Sequence, residues 1–260
     1  MNAYIDSHAH VHDKQFDADR AETVQRMREA GVTTAVLVGC DLNDSQRALQ
    51  TARDHGLYAS AGIHPHEAED APADIAAAFE PFLRDPLIRA IGETGLDYYY
   101  DHSPREKQRD VLRAQLEIAR ERKMPVIFHH RDAFDDFTAI LRERFDPATM
   151  RGVIHCFTGD SQQAEVYVKE FGLLLGIGGA LTFKSAQQIR DAVRTVGLQP
   201  LILETDCPYL APVPNRGKRN EPAFVPLIAQ RLAEELSEPL ERVAEVTSAN
   251  AADFFQFASK

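Results

Sequence analysis

The chain has 260 residues, of which 44% are hydrophobic and 27% charged, and a formal net charge of −11 at pH 7. These values are typical of a globular domain with a core of normal size, and the acidic charge excludes a protein that coats nucleic acid through a broad basic surface. The first residues lack the pattern of a signal peptide, no apolar run reaches the ~18 residues that span a bilayer, and three widely spaced cysteines argue against a disulfide framework. We therefore predict one cytoplasmic domain over residues 1–260.

Short apolar runs typical of β-strands recur along the chain. They cover residues 4–11, 34–40, 57–64, 88–96, 125–130, 152–157, 173–178 and 201–205. Several are nearly continuous in Val, Ile and Leu, which is expected for parallel strands that are covered on both faces.

Amphipathic stretches separate these runs and predict helices. They cover residues 19–30, 44–55, 103–123, 133–144, 161–171 and 185–196, and two more at 222–236 and 239–257 follow the last strand. Gly31 and Gly56 stand where two of these helices end, as C-cap glycines do. The alternation predicts a parallel α/β fold, and its eight strands favour a (β/α)₈ TIM barrel with extra C-terminal helices. An open, doubly wound sheet is the alternative.

Histidines and carboxylates gather where the predicted strands end. The residues are His8 and His10, His64 and His66, Glu93 and Asp97, His129 and His130, His155, and Glu204 and Asp206. In a barrel these carboxyl ends meet at one mouth, so chance is a poor explanation for the pattern. Imidazole with carboxylate is a donor set for divalent metals such as Zn²⁺ and Mn²⁺. We predict a two-metal site in which Glu93 bridges the ions and Asp206 binds one ion and accepts a proton from water.

Longer segments around these residues resemble the TatD family of metal-dependent deoxyribonucleases, part of the amidohydrolase-like TIM-barrel group. The matching segments are the HxH after strand 1, GIHPH, IGETGLDYYY, PVIFHHRDA, VIHCFTG and ETDCPYLAPVPNRGKRNEP, in this order from Ile5 to about Pro222. The resemblance implies a hydrolase of phosphodiester bonds in DNA, with RNA as a further substrate, and 3′-5′ exonuclease action.

The resemblance also implies a set of metal ligands. His8 and His10 would bind one ion, His129 and His155 the other, Glu93 would bridge, and Asp206 would activate the nucleophilic water. Two divalent ions are expected, Mg²⁺ or Mn²⁺ for activity with Zn²⁺ as another option. His130 fills a position that looks variable, and we expect its side chain to point away.

Further residues are candidates for holding the substrate. Arg131 and the loop residues Arg216, Lys218 and Arg219 could bind phosphates, His64 and His66 could add donors, and Tyr98 with its two neighbours could stack a base. Asp97 is expected to support a ligand histidine, and Glu204 to orient the site or the water. The expected partner is single-stranded DNA or a 3′ end. No membrane or protein partner is implied, and a monomer is the default.

Two other functions compete with this prediction. An amidohydrolase-type enzyme would use the same metals on an amide, lactone or other carbonyl substrate. However, the end of strand 4 carries Glu93 and no lysine that could bridge two metals after modification, and the loop after strand 8 is basic. A barrel that has lost catalysis is the second alternative, and the intact set of candidate ligands argues against it.

Overall fold

Eight parallel strands form the centre of the molecule in a computed structural model that describes residues 2–257. They are β1 (Tyr4–Ala9), β2 (Val32–Val38), β3 (Tyr58–Ala61), β4 (Ile88–Asp97), β5 (Val126–Arg131), β6 (Gly152–Ile154), β7 (Leu174–Ile177) and β8 (Leu201–Leu203). Each strand pairs with the next in chain order. The predicted strands and their order are confirmed, although β6 and β8 end one residue before His155 and Glu204.

The barrel closes between the first and last strands. The Asp206 amide donates to the His8 carbonyl over 2.9 Å, and the His10 amide donates to the Cys207 carbonyl over 2.8 Å. Ala9 and Cys207 form a parallel bridge at the same seam. These contacts make the sheet a TIM barrel and exclude the open doubly wound alternative.

Helices surround the strands. Within the described residues they are α1 (Arg20–Glu29), α2 (Leu42–His55), α3 (Ile75–Leu83), α4 (Arg105–Arg122), α5 (Phe134–Arg144), α6 (Ser161–Glu165), α7 (Gln187–Val196), α8 (Val225–Leu236) and α9 (Leu240–Phe254). None of these helices is both long and apolar enough to cross a membrane.

Helix α3 was missed in the sequence because it is short and contains Pro81, which normally interrupts a helix. Asp74 caps it by accepting from the Ala77 amide over 2.9 Å. Burial of Phe79 and Phe82 then outweighs the weak local signal.

The inside of the barrel divides into an apolar end and a polar end. Ile127, Val153 and Ile202 lie in one buried apolar cluster with Phe254 and Phe255 at the end of α9. Each of these three strand residues stands two positions before a predicted site residue, so alternation puts both on the inner face. Helix α9 therefore fills the amino-terminal end of the barrel, and the histidines and carboxylates occupy the other end.

Candidate metal centre

Three of the predicted ligands meet at the seam between β1 and β8. The Nε2 atoms of His8 and His10 lie 3.2 Å apart, and Oδ1 of Asp206 lies 3.7 and 3.4 Å from them. His8 and His10 share a face because they are two positions apart, and the bonds that close the barrel hold Asp206 beside them. This group has two imidazole nitrogens and one carboxylate oxygen pointing at one another.

Glu93 connects this group with a second one. Its Oε2 atom lies 3.3 Å from Nε2 of His8. Its Oε1 atom lies 2.7 Å from Nε2 of His155 and 2.9 Å from Nδ1 of His129. The two oxygens of a single buried carboxylate thus face two separate sets of donors.

Asp97 orients the second group from behind. Its Oδ2 atom lies 3.0 Å from Nε2 of His129 and 2.9 Å from Nε2 of His66. Its Oδ1 atom accepts from the backbone amides of Tyr99 and Tyr100 over 3.0 and 2.9 Å. A hydrogen bond from Nε2 of His129 to Asp97 leaves Nδ1, the atom that faces Glu93, with its lone pair free.

Glu204 lies beside two of the proposed ligands, and donor atoms of Glu204, His8 and His155 all lie within 4.8 Å of one another. Its Oε1 atom accepts from the Cys156 amide over 2.5 Å and lies 3.6 Å from Nδ1 of His155. Space for the side chain comes from Gly176, where a Cβ atom would stand 2.2 Å from Oε2 of Glu204. This position suits a residue that holds His155.

The charges in the cluster are strongly coupled. Burial alone would raise the pKa of Glu93, but His155, His64 and His129 outweigh it and hold this pKa well below its usual range. Burial would also raise the pKa of Asp206, which His10, His155 and His8 hold low instead. Conversely, burial would lower the pKa of His155, yet Glu93 and Glu204 raise it well above its usual range. The low pKa values of Glu93 and Asp206 favour negative charge on these two side chains, which attracts cations into the site.

The donor set fits divalent metal ions. Donor atoms of His8, His10 and Asp206 all lie within 4.8 Å of one another, and so do those of His64, Glu93 and His129. Imidazoles that converge on ionised carboxylates are ligands for first-row metals, and the Asp97–His129 contact is the kind of support that such ligands have.

An open cavity of about 580 Å³ lies over the cluster and is lined by His10, Glu93, His129, His155 and Asp206. His64, His66 and Arg131 also line it. The Arg131 guanidinium lies 4.0 Å from the Tyr99 ring centroid and 4.8 Å from that of Tyr100. No carboxylate of the described residues forms a salt bridge with it, in contrast to Arg219, which is paired with Asp19.

The chain is similar to known proteins over almost its whole length. The model of the TatD related DNase family matches residues 5–256. The chain belongs to the TatD family of metal-dependent hydrolases.

Two relatives and one solved structure show the extent of the similarity. YabD of Bacillus subtilis, named an uncharacterized metal-dependent hydrolase, is 37% identical over 253 residues, which cover 97% of this chain and 98% of YabD. A protein of Erwinia amylovora named 3′-5′ ssDNA/RNA exonuclease TatD is 38% identical over 248 residues, 93% of this chain and 95% of its own. The crystal structure of the TatD homologue YjjV from Escherichia coli K12 superposes with a TM-score of 0.91 at 31% identity and covers 98% of both chains.

The other predicted substrate contacts of this TatD chain lie outside the metal cavity. The Tyr98 hydroxyl donates to Asp136 over 2.6 Å, and the Tyr98 ring packs under Arg105. Arg219 binds both carboxylate oxygens of Asp19 over 2.7 Å. Tyr98 is held by Asp136 and Arg105, and Arg219 is held by Asp19. These contacts explain why neither side chain lines the cavity. Lys218 is exposed on the same loop as Arg219, and Arg216 lies over the Phe183 ring with its Cζ 4.0 Å from the centroid.

His130 turns away from the candidate metal ligands, toward the aromatic rings of Phe134, Phe137 and Tyr167. This is the orientation that strand alternation predicts when His129 faces inward.

The sequence analysis did not single out several residues that border the TatD site. Cys40 places its Sγ 4.0 Å from Oε2 of Glu93, and Nε2 of His12 lies 3.2 Å from Oδ2 of Asp44. Tyr209 also lines the cavity and is exposed. A signal existed for His12, which continues the two-residue spacing of His8 and His10. Cys40 and Tyr209 carry no pattern that separates them from packing residues.

Proposed function

We propose that this TatD protein hydrolyses phosphodiester bonds of single-stranded DNA, and of RNA, from the 3′ end with two divalent cations. The observation that supports this most strongly is the position of Glu93, whose two oxygens face two donor groups in an open cavity that Arg131 also lines. Two cations about 3.5–4 Å apart are the arrangement that stabilises both oxygens of an in-line displacement at phosphorus. The name of the Erwinia relative agrees with this substrate.

In this proposal the two donor groups have separate ions. His8, His10 and Asp206 would hold one, His129 and His155 would hold the other, and Glu93 would be a ligand shared by the two groups. Mg²⁺ or Mn²⁺ serves for activity, and the imidazole-rich set also suits Zn²⁺. Bound cations supply Lewis-acid stabilisation of the phosphate oxygens and lower the pKa of water.

The side chains perform the remaining tasks. Asp206, whose pKa its histidine neighbours hold low, accepts at a carboxylate oxygen the proton of the water that attacks phosphorus. The bond from phosphorus to the departing sugar oxygen breaks in the same displacement, and that oxygen takes a proton from solvent. Arg131 donates to a nonbridging oxygen of the phosphate, where negative charge has to be stabilised. His64 and His66 add donors at the cavity wall. Glu204 and Asp97 act through His155 and His129 and are positioning residues.

Cleavage of a 5′-labelled single-stranded oligonucleotide with Mg²⁺ or Mn²⁺ tests the proposal. We expect stepwise shortening that chelation abolishes and that Asp206→Asn reduces by about 100-fold or more, the size typical of a lost acid–base group. Asp110→Asn, a change of the same kind at an exposed α4 residue, is the matched control and should keep full activity.

The opposite result would be informative as well. If folded, metal-loaded protein cleaves no oligonucleotide, hydrolysis of single-stranded DNA and RNA is wrong. The same protein would then be assayed with lactones and cyclic amides, the carbonyl substrates for which this group of barrels is also suited.

A further inference from the structure

Two cavities border the candidate metal ligands, and they differ in the charge of their lining residues. Both are lined by His129, Arg131, His155 and Asp206, so they meet at the cluster. The first, described above, is also lined by four acidic residues, Asp13, Asp41, Asp44 and Glu67, against one further arginine, Arg47, which is paired with Asp44. The second, of about 520 Å³, lies between the loops that follow β6, β7 and β8, and Asp206 is the one carboxylate among its described lining residues.

The second cavity has the surfaces that a nucleotide requires. Phe183 and Leu210 supply apolar area, and Thr158, Ser185 and Gln188 supply hydrogen-bonding groups. Every nucleobase offers a flat π-face, so an aromatic side chain can hold bases without regard to sequence.

Two arginines lie at or next to this cavity. Arg131 lines it directly. Arg216, in the loop after β8, adjoins the cavity, because its guanidinium lies over the ring of the lining residue Phe183. For the described residues, neither arginine forms a salt bridge with a carboxylate, so both guanidinium groups are available to phosphates.

An oligonucleotide carries one phosphate for each nucleotide that is added, so the parts on the two sides of the scissile bond differ in negative charge. At the strand end, the terminal nucleotide has no phosphate beyond the one that is cleaved. The retained strand has a phosphate at every step. A carboxylate-rich cavity therefore tolerates the terminal nucleotide but repels the phosphates of the retained strand.

We propose that the cavity at Phe183, Ser185 and Gln188 is the subsite for the retained strand, with its phosphates passing between Arg131 and Arg216. The carboxylate-bordered cavity receives only the terminal nucleotide. This proposal rests on the proposed function and deepens it, since it gives the strand a direction and explains a preference for ends by charge.

The direct test places a carboxylate in the subsite. Ser185 is exposed, lines the cavity and stands just before α7, so Ser185→Glu puts a negative charge where a helix start tolerates it. Gln187→Glu adds the same charge two residues further on, outside the lining residues, and is the matched control. We expect Ser185→Glu to raise KM for an eight-residue single-stranded DNA by about tenfold at low salt, with kcat nearly unchanged, and Gln187→Glu to leave both constants unchanged.

A small substrate separates this proposal from the proposed function. Bis(p-nitrophenyl) phosphate has a phosphodiester but no retained strand, so Ser185→Glu should hydrolyse it at the wild-type rate. Equal KM values for the octamer in Ser185→Glu and wild type would overturn the subsite while phosphodiester hydrolysis stands. A wild-type protein that hydrolyses neither compound would overturn the proposed function. In that case, fluorescence anisotropy would measure how tightly the octamer binds to Asp206→Asn and to the double variant that also carries Ser185→Glu. Equal affinities would refute the subsite, and weaker binding to the double variant would support it.

Discussion

Asp97 receives hydrogen-bond donors on both oxygens, and this fixes which nitrogen His129 presents to Glu93. Two backbone amides point at Oδ1, and the rings of His66 and His129 point at Oδ2. Only a carboxylate accepts on all four sides. An asparagine must turn its NH₂ group toward either the two backbone amides or the two histidine rings. In the first orientation the backbone amides lose their acceptor. In the second, Nε2 of His129 has to accept a hydrogen bond, so the proton moves to Nδ1.

Asp97→Asn should therefore weaken metal binding without removing a proposed ligand. The expected loss of affinity is about 10- to 100-fold, as for other groups that support metal-bound histidines. Calorimetric titration with Mn²⁺ or Zn²⁺ measures it, and Asp101→Asn, at an exposed residue that pairs with Arg105, is the control. An affinity equal to that of wild type would show that Asp97 does not orient His129.

Adjacent histidines on β5 offer a second test. His129 lies at Glu93, whereas His130 packs on Phe137 and its Nε2 has no partner among the described residues. We expect His129→Ala to reduce DNA cleavage by about 100-fold or more. His130→Phe, which keeps the ring among apolar neighbours, should cost less than about fivefold. Similar losses in the two variants, measured as kcat/KM on protein of equal folded fraction, would refute this assignment.

At the scale of elements, the sequence allowed the strands, their order and the gathering of site residues to be predicted, but not how each side chain reaches the mouth. Alternation from Ala90, an inner residue, would turn Glu93 outward. The pairing of β4 with β5 is irregular between Ile91 and Thr94, and this shift brings Glu93 inward. Gly62 leaves the room, because a Cβ atom there would stand 2.2 Å from the Gly92 carbonyl carbon. The hydrophobic pattern of the sequence does not reveal such a local shift. It also does not reveal the ion pair with Asp19, which occupies the Arg219 side chain that was predicted to bind phosphate.

That ion pair joins two elements and predicts a pH dependence. Asp19, just before α1, accepts from Arg219 in the loop after β8 and from Arg26. The hydrogen bonds from Arg219 chiefly, opposed by slight burial and helped by Arg26, hold the pKa of Asp19 below its usual range. Since the folded-state pKa is the lower one, the stabilisation is present above pH ~4 and is lost as the pH falls below it.

Asp19→Asn should thus lower the free energy of unfolding at pH 7 by about 1 kcal/mol or less, as the pair is partly exposed. The difference from wild type should shrink as the pH falls from 4 toward 2. Urea denaturation across this range measures both. A difference that stays constant with pH would mean that the carboxylate charge contributes nothing.

For the whole molecule, the two ends of the barrel have separate tasks. The end of α9 packs aromatic rings against the inner residues of several strands, and the opposite end holds the candidate metal ligands. Family and fold follow from the whole chain, whereas the single domain over residues 1–260 stays a prediction.

Phe255→Ala tests this division. The side chain is almost fully buried, and its loss should reduce the free energy of unfolding by about 3–5 kcal/mol. Metal affinity and DNA cleavage per folded molecule should remain at wild-type values, because the space left by the missing Phe255 ring lies at the end of the barrel opposite the candidate metal ligands. Thermal unfolding with a parallel metal titration checks both expectations, and a loss of metal affinity in fully folded protein would show that the two ends are coupled.

The central claim is that Glu93 divides its oxygens between two cations, and anomalous diffraction from crystals grown with Mn²⁺ tests it most directly. The account predicts two peaks, one among His8, His10 and Asp206 and one between His129 and His155, with Glu93 touching both. A single peak, or two peaks of which neither contacts Glu93, would contradict it.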